Sequence, residues 1–141
     1  MTWSTAADIK IRKFNPETAS KDKVKRKQAL KREIGKNVSK QYKKILERLS
    51  EKELFIDVCF YLQKAKNSGN TKKDLDNLVK ILLDALSENM VNGQNKMRGL
   101  GFVKDDSEIF KIHCEKKIVD DEKDMGMDLK ISYRNAKSEA K

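Results

Sequence analysis

Residues 53–63, with the sequence ELFIDVCFYLQ, decide the fold of this chain. Side chains alternate along a β-strand, so the even-numbered residues of this stretch share one face, and all of them are apolar. Phe55, Cys59 and Tyr61 make the opposite face largely apolar as well. A strand that is apolar on both faces is typical of the middle of a sheet, so we expect a central strand that is covered on both sides.

The residues before this strand predict another strand and a helix. Residues 7–14 alternate weakly between apolar and polar side chains, which indicates a short strand. Apolar residues then recur between Leu30 and Leu49 in steps of three or four, which is the period of an amphipathic helix. Gly35 weakens this helix without ending it. Trp3 lies in an N-terminus that we expect to be flexible.

The residues after the central strand predict one more helix and two more strands. Residues 74–88 carry a buried stripe of apolar side chains at helical spacing, and Asp74 is placed to act as the N-cap. Residues 89–101 contain several glycines and predict a loop. Residues 107–119 and 127–133 have the alternation of strands, and we expect these two strands to pair in antiparallel fashion.

Together these elements predict an α+β fold, with a small mixed sheet of about four strands and two main helices. The chain has 141 residues and a mass of 16.3 kDa, which fits one domain. We expect this domain to span residues 1–134 and to be followed by a disordered tail at residues 135–141.

Composition excludes several classes of protein. No apolar run approaches the roughly 18 residues that span a bilayer, and the N-terminus has no apolar signal segment, so we expect a cytoplasmic protein without a membrane partner. Two cysteines and one histidine fit neither a disulfide framework nor a zinc finger. We expect Cys59 and Cys114 to be reduced packing residues, and His113 to be a packed or exposed strand residue.

The positive charge is concentrated near the N-terminus. The chain carries 32 Lys and Arg against 22 Asp and Glu, a formal net charge of +10. Residues 10–48 hold 15 of the basic and 4 of the acidic residues, so this segment has a net charge of +11 and the remainder a net charge of −1. Such a segment is either the solvated face of a lysine-rich helix or a surface that binds a polyanion such as DNA.

An acidic motif follows the central strand. Residues 72–80 have the sequence KKDLDNLVK, so Asp74 and Asp76 lie two positions apart where a loop enters a helix. A second pair, Asp105-Asp106, opens the next strand. If these two ends converge at one edge of the sheet, their carboxylates suit Mg²⁺, which prefers oxygen ligands and can assist the hydrolysis of a phosphodiester bond.

The same residues also allow a purely structural interpretation. Aspartate is common at helix starts, where it caps the first turn and complements the helix dipole. Asp76, Lys80 and Asp84 lie four residues apart, which is the spacing of an ordinary surface ion-pair ladder. The spacing alone leaves both interpretations open.

The motif resembles that of the RusA family of Holliday-junction resolvases, which are small, dimeric, Mg²⁺-dependent endonucleases common in prophages. The resemblance rests on Asp74-Leu75-Asp76-Asn77-Leu78-Val79-Lys80, then Asp84-Ala85-Leu86, then Asp105-Asp106. It covers residues 73–109, and the strand before the motif and the two strands after it also fit the layout of that family. The resemblance therefore implies a RusA-like fold.

The resemblance also implies an active site with three metal-binding catalytic carboxylates and one catalytic lysine. These residues are Asp74, Asp76, Asp106 and Lys80. The metal would be Mg²⁺ or Mn²⁺, and the direct roles of Asp84 and Asp105 stay open. Symmetric cuts in two strands of a four-way junction need two active sites, so the resemblance implies a homodimer.

Two features depart from the family pattern. Only Asn15-Pro16 stands where the family has a Pro-Pro segment with a nearby asparagine. The loop of residues 87–104 is longer than is typical of the family.

Several side chains near the motif are candidates for DNA contact. The basic candidates are Lys72, Lys73, Lys96 and Arg98. Phe102, in a glycine-rich loop, is the aromatic residue best placed to stack on a splayed base.

The sequence thus predicts a structure-selective, Mg²⁺-dependent endodeoxyribonuclease that resolves four-way DNA junctions in recombination and repair. The alternative is a catalytically silent, basic DNA-binding protein in which the aspartates are helix caps and ion-pair partners. The two functions differ in whether a labelled junction is cut in the presence of a divalent metal ion.

Overall fold

The chain folds into one mixed sheet and three helices. The computed structural model describes residues 2–16, 23–63, 71–87 and 99–136, apart from the side chains of residues 23, 24, 26 and 71–74. The strands are β1 (Ser4–Arg12), β2 (Lys52–Gln63), β3 (Ile109–Val119) and β4 (Gly126–Asn135), and the helices are α1 (Lys23–Val38), α2 (Tyr42–Leu49) and α3 (Thr71–Leu86). Short 3₁₀ turns lie at Asp106–Glu108 and Glu122–Asp124. The expected α+β class is confirmed, with three helices instead of two main ones.

The strands lie in the order β1-β4-β2-β3. β2 has an antiparallel neighbour, β4, on one side and a parallel neighbour, β3, on the other, so its predicted central position is confirmed. The expected antiparallel pair of residues 107–119 and 127–133 is wrong, because β4 lies between β2 and β1 and does not touch β3. Alternation identifies a strand but not its neighbour, since both edges of β2 offer the same backbone groups.

One face of the sheet and the three helices enclose the hydrophobic core. The even-numbered residues of β2 from Leu54 to Leu62 are buried, as are the odd-numbered residues of β4 from Met127 to Ile131. The helices contribute Leu30, Ile34, Val38, Ile45, Leu49, Leu78, Ile81, Leu82, Ala85 and Leu86. Burial of each large aliphatic side chain contributes roughly 1.5–3 kcal/mol relative to exposure, so this layer is the main source of stability.

The other face of the sheet carries no helix within the described part of the chain. The odd-numbered residues of β2 from Phe55 to Tyr61 are only half-buried, so the expectation that β2 is covered on both sides is wrong. Cations lie over the aromatic rings instead. The guanidinium of Arg12 is 4.5 Å from the ring centroid of Tyr61, and the ammonium of Lys111 is 4.7 Å from that of Phe55. These cation–π contacts stabilise rings that no other layer covers.

Trp3 belongs to this open face. Its ring centroid lies 5.5 Å from that of Phe55, and the guanidinium of Arg134 lies 4.1 Å from the Trp3 centroid. Arg134 also donates a hydrogen bond from Nε to Glu53 at 2.7 Å. Trp3 is therefore held against the sheet, and the expectation of a flexible N-terminus is wrong at this residue.

A charged cluster joins three strands on the same face. Asp128 of β4 accepts hydrogen bonds from Arg12 of β1 at 2.9 Å and from the hydroxyl of Tyr61 of β2 at 2.8 Å. Burial raises the pKa of Asp128, but the hydrogen bonds from Arg12 and Tyr61 and the positive charges of Arg12 and Lys10 together lower it more, so the pKa lies below its usual value. The hydrogen bond to Asp128 also raises the pKa of Tyr61.

The single helix expected between Leu30 and Leu49 is in fact two helices. α1 ends at Val38 and α2 begins at Tyr42, and the amide of Gln41 donates to the carbonyl of Val38 at 2.8 Å. The apolar spacing continues through this break, so the periodicity does not reveal it.

Some element bounds also differ from those expected. α3 begins at Thr71, so Asp74 lies in its first turn and is not the N-cap. β4 ends at Asn135, the first residue of the expected tail, and residues 137–141 lie outside the described part of the chain. No helix among the described residues is long and apolar enough to span a bilayer.

The segment after residue 98 packs against the C-terminal end of α3. The amide of Leu100 donates to the carbonyl of Ala85 at 2.8 Å, and the amide of Gly101 donates to the carbonyl of Ser87 at 3.1 Å. A Cβ atom on Gly99 would overlap with the carbonyl oxygen of Ser87, so this close approach requires glycine. This packing fixes the position from which the chain continues to β3.

We expect Gly99→Ala to lower the free energy of unfolding by about 2 kcal/mol or more, because the backbone must move to admit the new methyl group. Gly35→Ala is the matched control. It lies within α1 and its Cβ would meet only Leu100 at 3.8 Å, so it should stabilise the fold by about 0.5–1 kcal/mol. Urea unfolding measures both values, and a Gly99→Ala protein as stable as the parent would contradict the close approach.

The cluster around Asp128 predicts a pH dependence of stability. Because the pKa of Asp128 is lower in the folded chain than in the unfolded chain, its stabilising contribution is present above the unfolded-state pKa and is lost as the pH falls through the folded-state pKa. We expect Asp128→Asn to lower the free energy of unfolding by about 1 kcal/mol at pH 7. This difference should shrink in urea titrations as the pH falls through the folded-state pKa of Asp128, and its persistence in acid, where this carboxyl is protonated in both the folded and the unfolded chain, would overturn the assignment.

Candidate active site

Asp76 and Lys80 lie four residues apart on the exposed side of α3. The opposite side of the helix, with Leu78 and Leu82, is buried in the core. Side chains four residues apart are neighbours on a helix surface. Nevertheless, neither Asp76 nor Lys80 has an ion-pair partner within the described ranges. Both charged groups are therefore accessible to a ligand.

Asp84, which is four residues further along α3, is engaged with α1. Its Oδ2 atom lies 2.6 Å from Nζ of Lys27. The Lys27 side chain is only 6% exposed, whereas the Asp84 side chain is 46% exposed. A charged ammonium with so little contact with water needs a counter-charge, whereas a half-exposed carboxylate can be solvated. Asp84 therefore acts as the counter-ion of a buried lysine and joins α1 to α3.

Lys27 is a residue that the sequence analysis missed, because it was counted only as part of the basic segment. It stands three positions before Leu30, and the buried side of α1 continues with Ile34 and Val38. A lysine in phase with an apolar stripe faces the core, and this phase is the signal that could have identified it.

The second acidic pair lies at the start of β3. Asp105 is extended, and Asp106 begins the 3₁₀ turn that leads into the strand. The hydroxyl of Ser107 donates to Oδ2 of Asp105 at 2.6 Å. The exposed carboxylate of Asp106 has no hydrogen-bond or ion-pair partner among the residues described, so it is the more accessible member of the pair.

One chain does not bring Asp76 and Asp106 together. Asp76 lies in the second turn of α3, whereas Asp106 follows a segment that is tied to the other end of this helix by the hydrogen bond from the Val103 amide to the Leu86 carbonyl. At about 1.5 Å of rise per residue, the helix between Asp76 and Leu86 is about 15 Å long. Asp76 and Asp106 therefore lie towards opposite ends of α3 within a single chain.

This separation decides whether a metal ion fits one chain. The described residues contain no group of three His, Cys, Asp or Glu side chains that could hold such an ion. Asp76 and Asp106 each present an accessible carboxylate, and Mg²⁺ is usually held by one or two carboxylates together with waters and substrate phosphates. Asp74 lies in the first turn of α3, but its side chain is outside the described set. Within one chain, the length of α3 keeps Asp76 and Asp106 from sharing one ion.

The four predicted basic contacts also fall outside the described side chains. They are Lys72, Lys73, Lys96 and Arg98. Lys72 and Lys73 belong to the first turn of α3 by its bounds.

The predicted stacking role of Phe102 is wrong. This side chain is 2% exposed, and its ring packs against that of Tyr42 at a centroid distance of 5.6 Å. Tyr42 in turn donates a hydrogen bond from its hydroxyl to the carbonyl of Leu100 at 2.6 Å. Phe102 therefore anchors its glycine-rich segment to α2 and is not available to a base.

The histidine and the cysteines are outside the candidate site. His113 is exposed, as the sequence allowed, and its Nδ1 lies 2.9 Å from Oδ1 of Asp57 across the parallel strands. Cys59 and Cys114 are free thiols, as expected. Burial raises the pKa of the Cys59 thiol, which keeps it in the unreactive protonated form.

A basic surface covers the outer side of α1 and α2. Its exposed cations are Lys25, Arg32, Lys36, Lys40, Lys43, Lys44 and Arg48. Glu33 and Glu47 are the acidic residues within these two helices, and Glu33 pairs with Lys36 at 3.4 Å. The surface keeps a strong positive charge, which suits contact with a phosphate backbone.

Comparison with known proteins supplies an independent finding. The family model described as Endodeoxyribonuclease RusA matches residues 14–132, which is most of the chain and includes α3 and both acidic pairs. Searches of curated proteins and of solved structures return no match.

The unequal burial of Lys27 and Asp84 predicts unequal effects of removing them. We expect Asp84→Asn to lower the free energy of unfolding by about 3 kcal/mol, because it leaves a buried ammonium without a counter-charge. Lys27→Met keeps an apolar stem and leaves a carboxylate that water can reach, so its cost should be about 1 kcal/mol or less. Urea unfolding at pH 7 gives both values, and equal losses would contradict the proposed asymmetry.

Proposed function

Because the chain belongs to the RusA family of endodeoxyribonucleases, whose members resolve Holliday junctions, we propose that it cuts four-way DNA junctions by metal-assisted hydrolysis, in recombination and repair. The observation that carries the proposal is the family match over residues 14–132, which includes the accessible pair Asp76 and Lys80 on α3.

In this proposal the carboxylates of Asp74, Asp76 and Asp106 hold Mg²⁺ or Mn²⁺. When bound, such an ion activates water and stabilises negative charge on the scissile phosphate. The ammonium of Lys80 lies one turn from Asp76 and is accessible, so it can stabilise the charge that develops on the phosphate or on the leaving oxygen. Asp84 has no part in metal binding, because its carboxylate neutralises Lys27.

The proposal puts each active site between the two chains of a homodimer. Asp76 and Asp106 lie towards opposite ends of α3, so a second copy is needed to bring one of each together. A two-fold axis perpendicular to α3 reverses the direction of this helix in the second copy and thus sets opposite ends of the two α3 helices on the same side of the dimer. The dimer then has two equivalent sites, as two symmetric cuts require.

The outer edge of β3 is the contact that we propose for this dimer. β3 is 11 residues long and lies at the edge of the sheet, and no described strand pairs with that edge. It carries the three large apolar side chains that are most exposed among the residues described, Phe110, Ile112 and Ile118, at 58%, 43% and 50%. A long edge strand with exposed apolar side chains favours pairing with another chain, and two antiparallel β3 strands would set the start of each beside the end of the other.

The basic surface on α1 and α2 would hold the arms of the junction. Its lysines and arginines contact phosphates without reading sequence, so affinity should fall steeply as the salt concentration rises.

The direct test is the incubation of a labelled synthetic four-way junction with the protein and Mg²⁺. We expect symmetric cuts, and we expect Asp76→Asn to abolish cutting while junction binding stays equal or becomes tighter, because a negative charge beside the phosphate is removed. Asp8→Asn, which removes an exposed carboxylate from β1 at the opposite edge of the sheet, should cut as the parent does. Junction binding that ignores divalent metal, without cutting by the parent protein, would favour the alternative of a silent DNA-binding protein.

Mixed dimers test whether each site spans two chains. Asp76→Asn and Asp106→Asn proteins should each be inactive, but their mixture should regain junction nicking. In a mixed dimer, one site receives both altered residues and the other receives two intact ones. If each site lay within one chain, every site in the mixed dimer would carry one altered residue and the mixture would stay inactive. Gel electrophoresis of nicked junctions distinguishes the two outcomes.

A further inference from the structure

Two aspartates of α3 lie at the helix spacing that allows an ion pair with Lys80. Such a pair would compete with a phosphate for the Lys80 ammonium. Asp76 precedes Lys80 by four residues and Asp84 follows it by four. Charged side chains with this spacing commonly form ion pairs on exposed helices. A lysine engaged in such a pair is less available to a phosphate.

The contact with Lys27 removes one of these two competitors. Asp84 Oδ2 lies 2.6 Å from Lys27 Nζ, and no contact of Asp84 with Lys80 is found in the described part of the chain. The Lys27 ammonium is nearly excluded from water although Asp84 is half-exposed, so solvent screens this pair less than it would screen a pair between Asp84 and the exposed Lys80. The carboxylate of Asp84 therefore pairs with Lys27, the lysine that has less contact with water.

We infer that Lys27 is a positioning residue for Lys80: it holds Asp84 against α1 and so leaves the Lys80 ammonium available for a phosphate group of the DNA. The part of this inference that concerns the phosphate rests on the proposed function. The part that concerns the competition between Lys27 and Lys80 for Asp84 rests only on the ion pair and on the helix spacing.

Lys27→Met provides the first variant for the test. It removes the buried partner, so Asp84 can turn towards Lys80. The readout is the rate at which an amine-acylating reagent modifies Lys80, followed by peptide mass spectrometry without DNA. We expect this rate to fall about 1.5-fold to twofold at low salt, the size of effect typical of pairs with this spacing. In 1 M salt the difference from the parent should disappear, because exposed ion pairs are screened there.

The double variant Lys27→Met/Asp84→Asn tests whether the acylation rate of Lys80 can be restored. It removes the released carboxylate together with the buried charge, so the acylation rate of Lys80 should return to that of the parent. Lys36→Met removes a cation of the same helix that is paired with Glu33, and it should leave the Lys80 rate unchanged. Thermal melts confirm that each protein is folded at the assay temperature.

The outcomes separate this inference from the proposed function. An unchanged Lys80 rate in Lys27→Met, a loss that persists in the double variant, or a loss that persists at high salt would overturn the inference. In the junction assay at saturating DNA, kcat should fall in Lys27→Met and recover in the double variant, with little change in KM. If the acylation rates follow the expected pattern but the parent protein cuts no junction, the proposed function fails while the competition for Asp84 stands.

Discussion

The parallel pairing of β2 with β3 is the constraint on which the arrangement of the candidate site depends. Parallel neighbours cannot be joined by a hairpin, so the chain must return along the sheet before the second strand begins, and α3 makes that return. α3 consequently starts where β2 ends and finishes where β3 starts. The acidic residues at its two ends are separated by the length of the helix, so their separation is a property of the topology and not of a loop conformation.

Features set by local periodicity could be predicted from the sequence. The alternation in β2 and the leucine stripe of α3 each arise from a short stretch of chain, and both elements are found close to the expected bounds. The position of β4 could not be predicted, because its buried residues Met127, Leu129 and Ile131 would show the same pattern beside any neighbour. The break after Val38 was equally invisible, since the apolar spacing runs through it.

The candidate site also combines features that could be predicted from the sequence with features that could not. The common exposed side of Asp76 and Lys80 follows from helical spacing and was predictable. The relation of Asp76 to Asp106 depends on which strands are neighbours, so spacing along the chain could not reveal it. The role of Asp84 depends on Lys27, which comes from a different helix, and the ladder spacing that suggested a surface pair with Lys80 gave the wrong partner.

Two regions of the sheet lack a covering layer within the described chain. They differ in whether other side chains shield their apolar surface. On the open face, Arg12, Lys111 and Arg134 lie over the rings of Tyr61, Phe55 and Trp3, so cations already shield the aromatic surface. The outer edge of β3 has no comparable shield over Phe110, and its backbone groups have no strand partner among the residues described. In the proposed dimer, a second copy at this edge would pair with the free backbone groups and cover the apolar side chains. The same contact would bring carboxylates from opposite ends of α3 together, so the proposed interface would both cover the edge of β3 and complete the site.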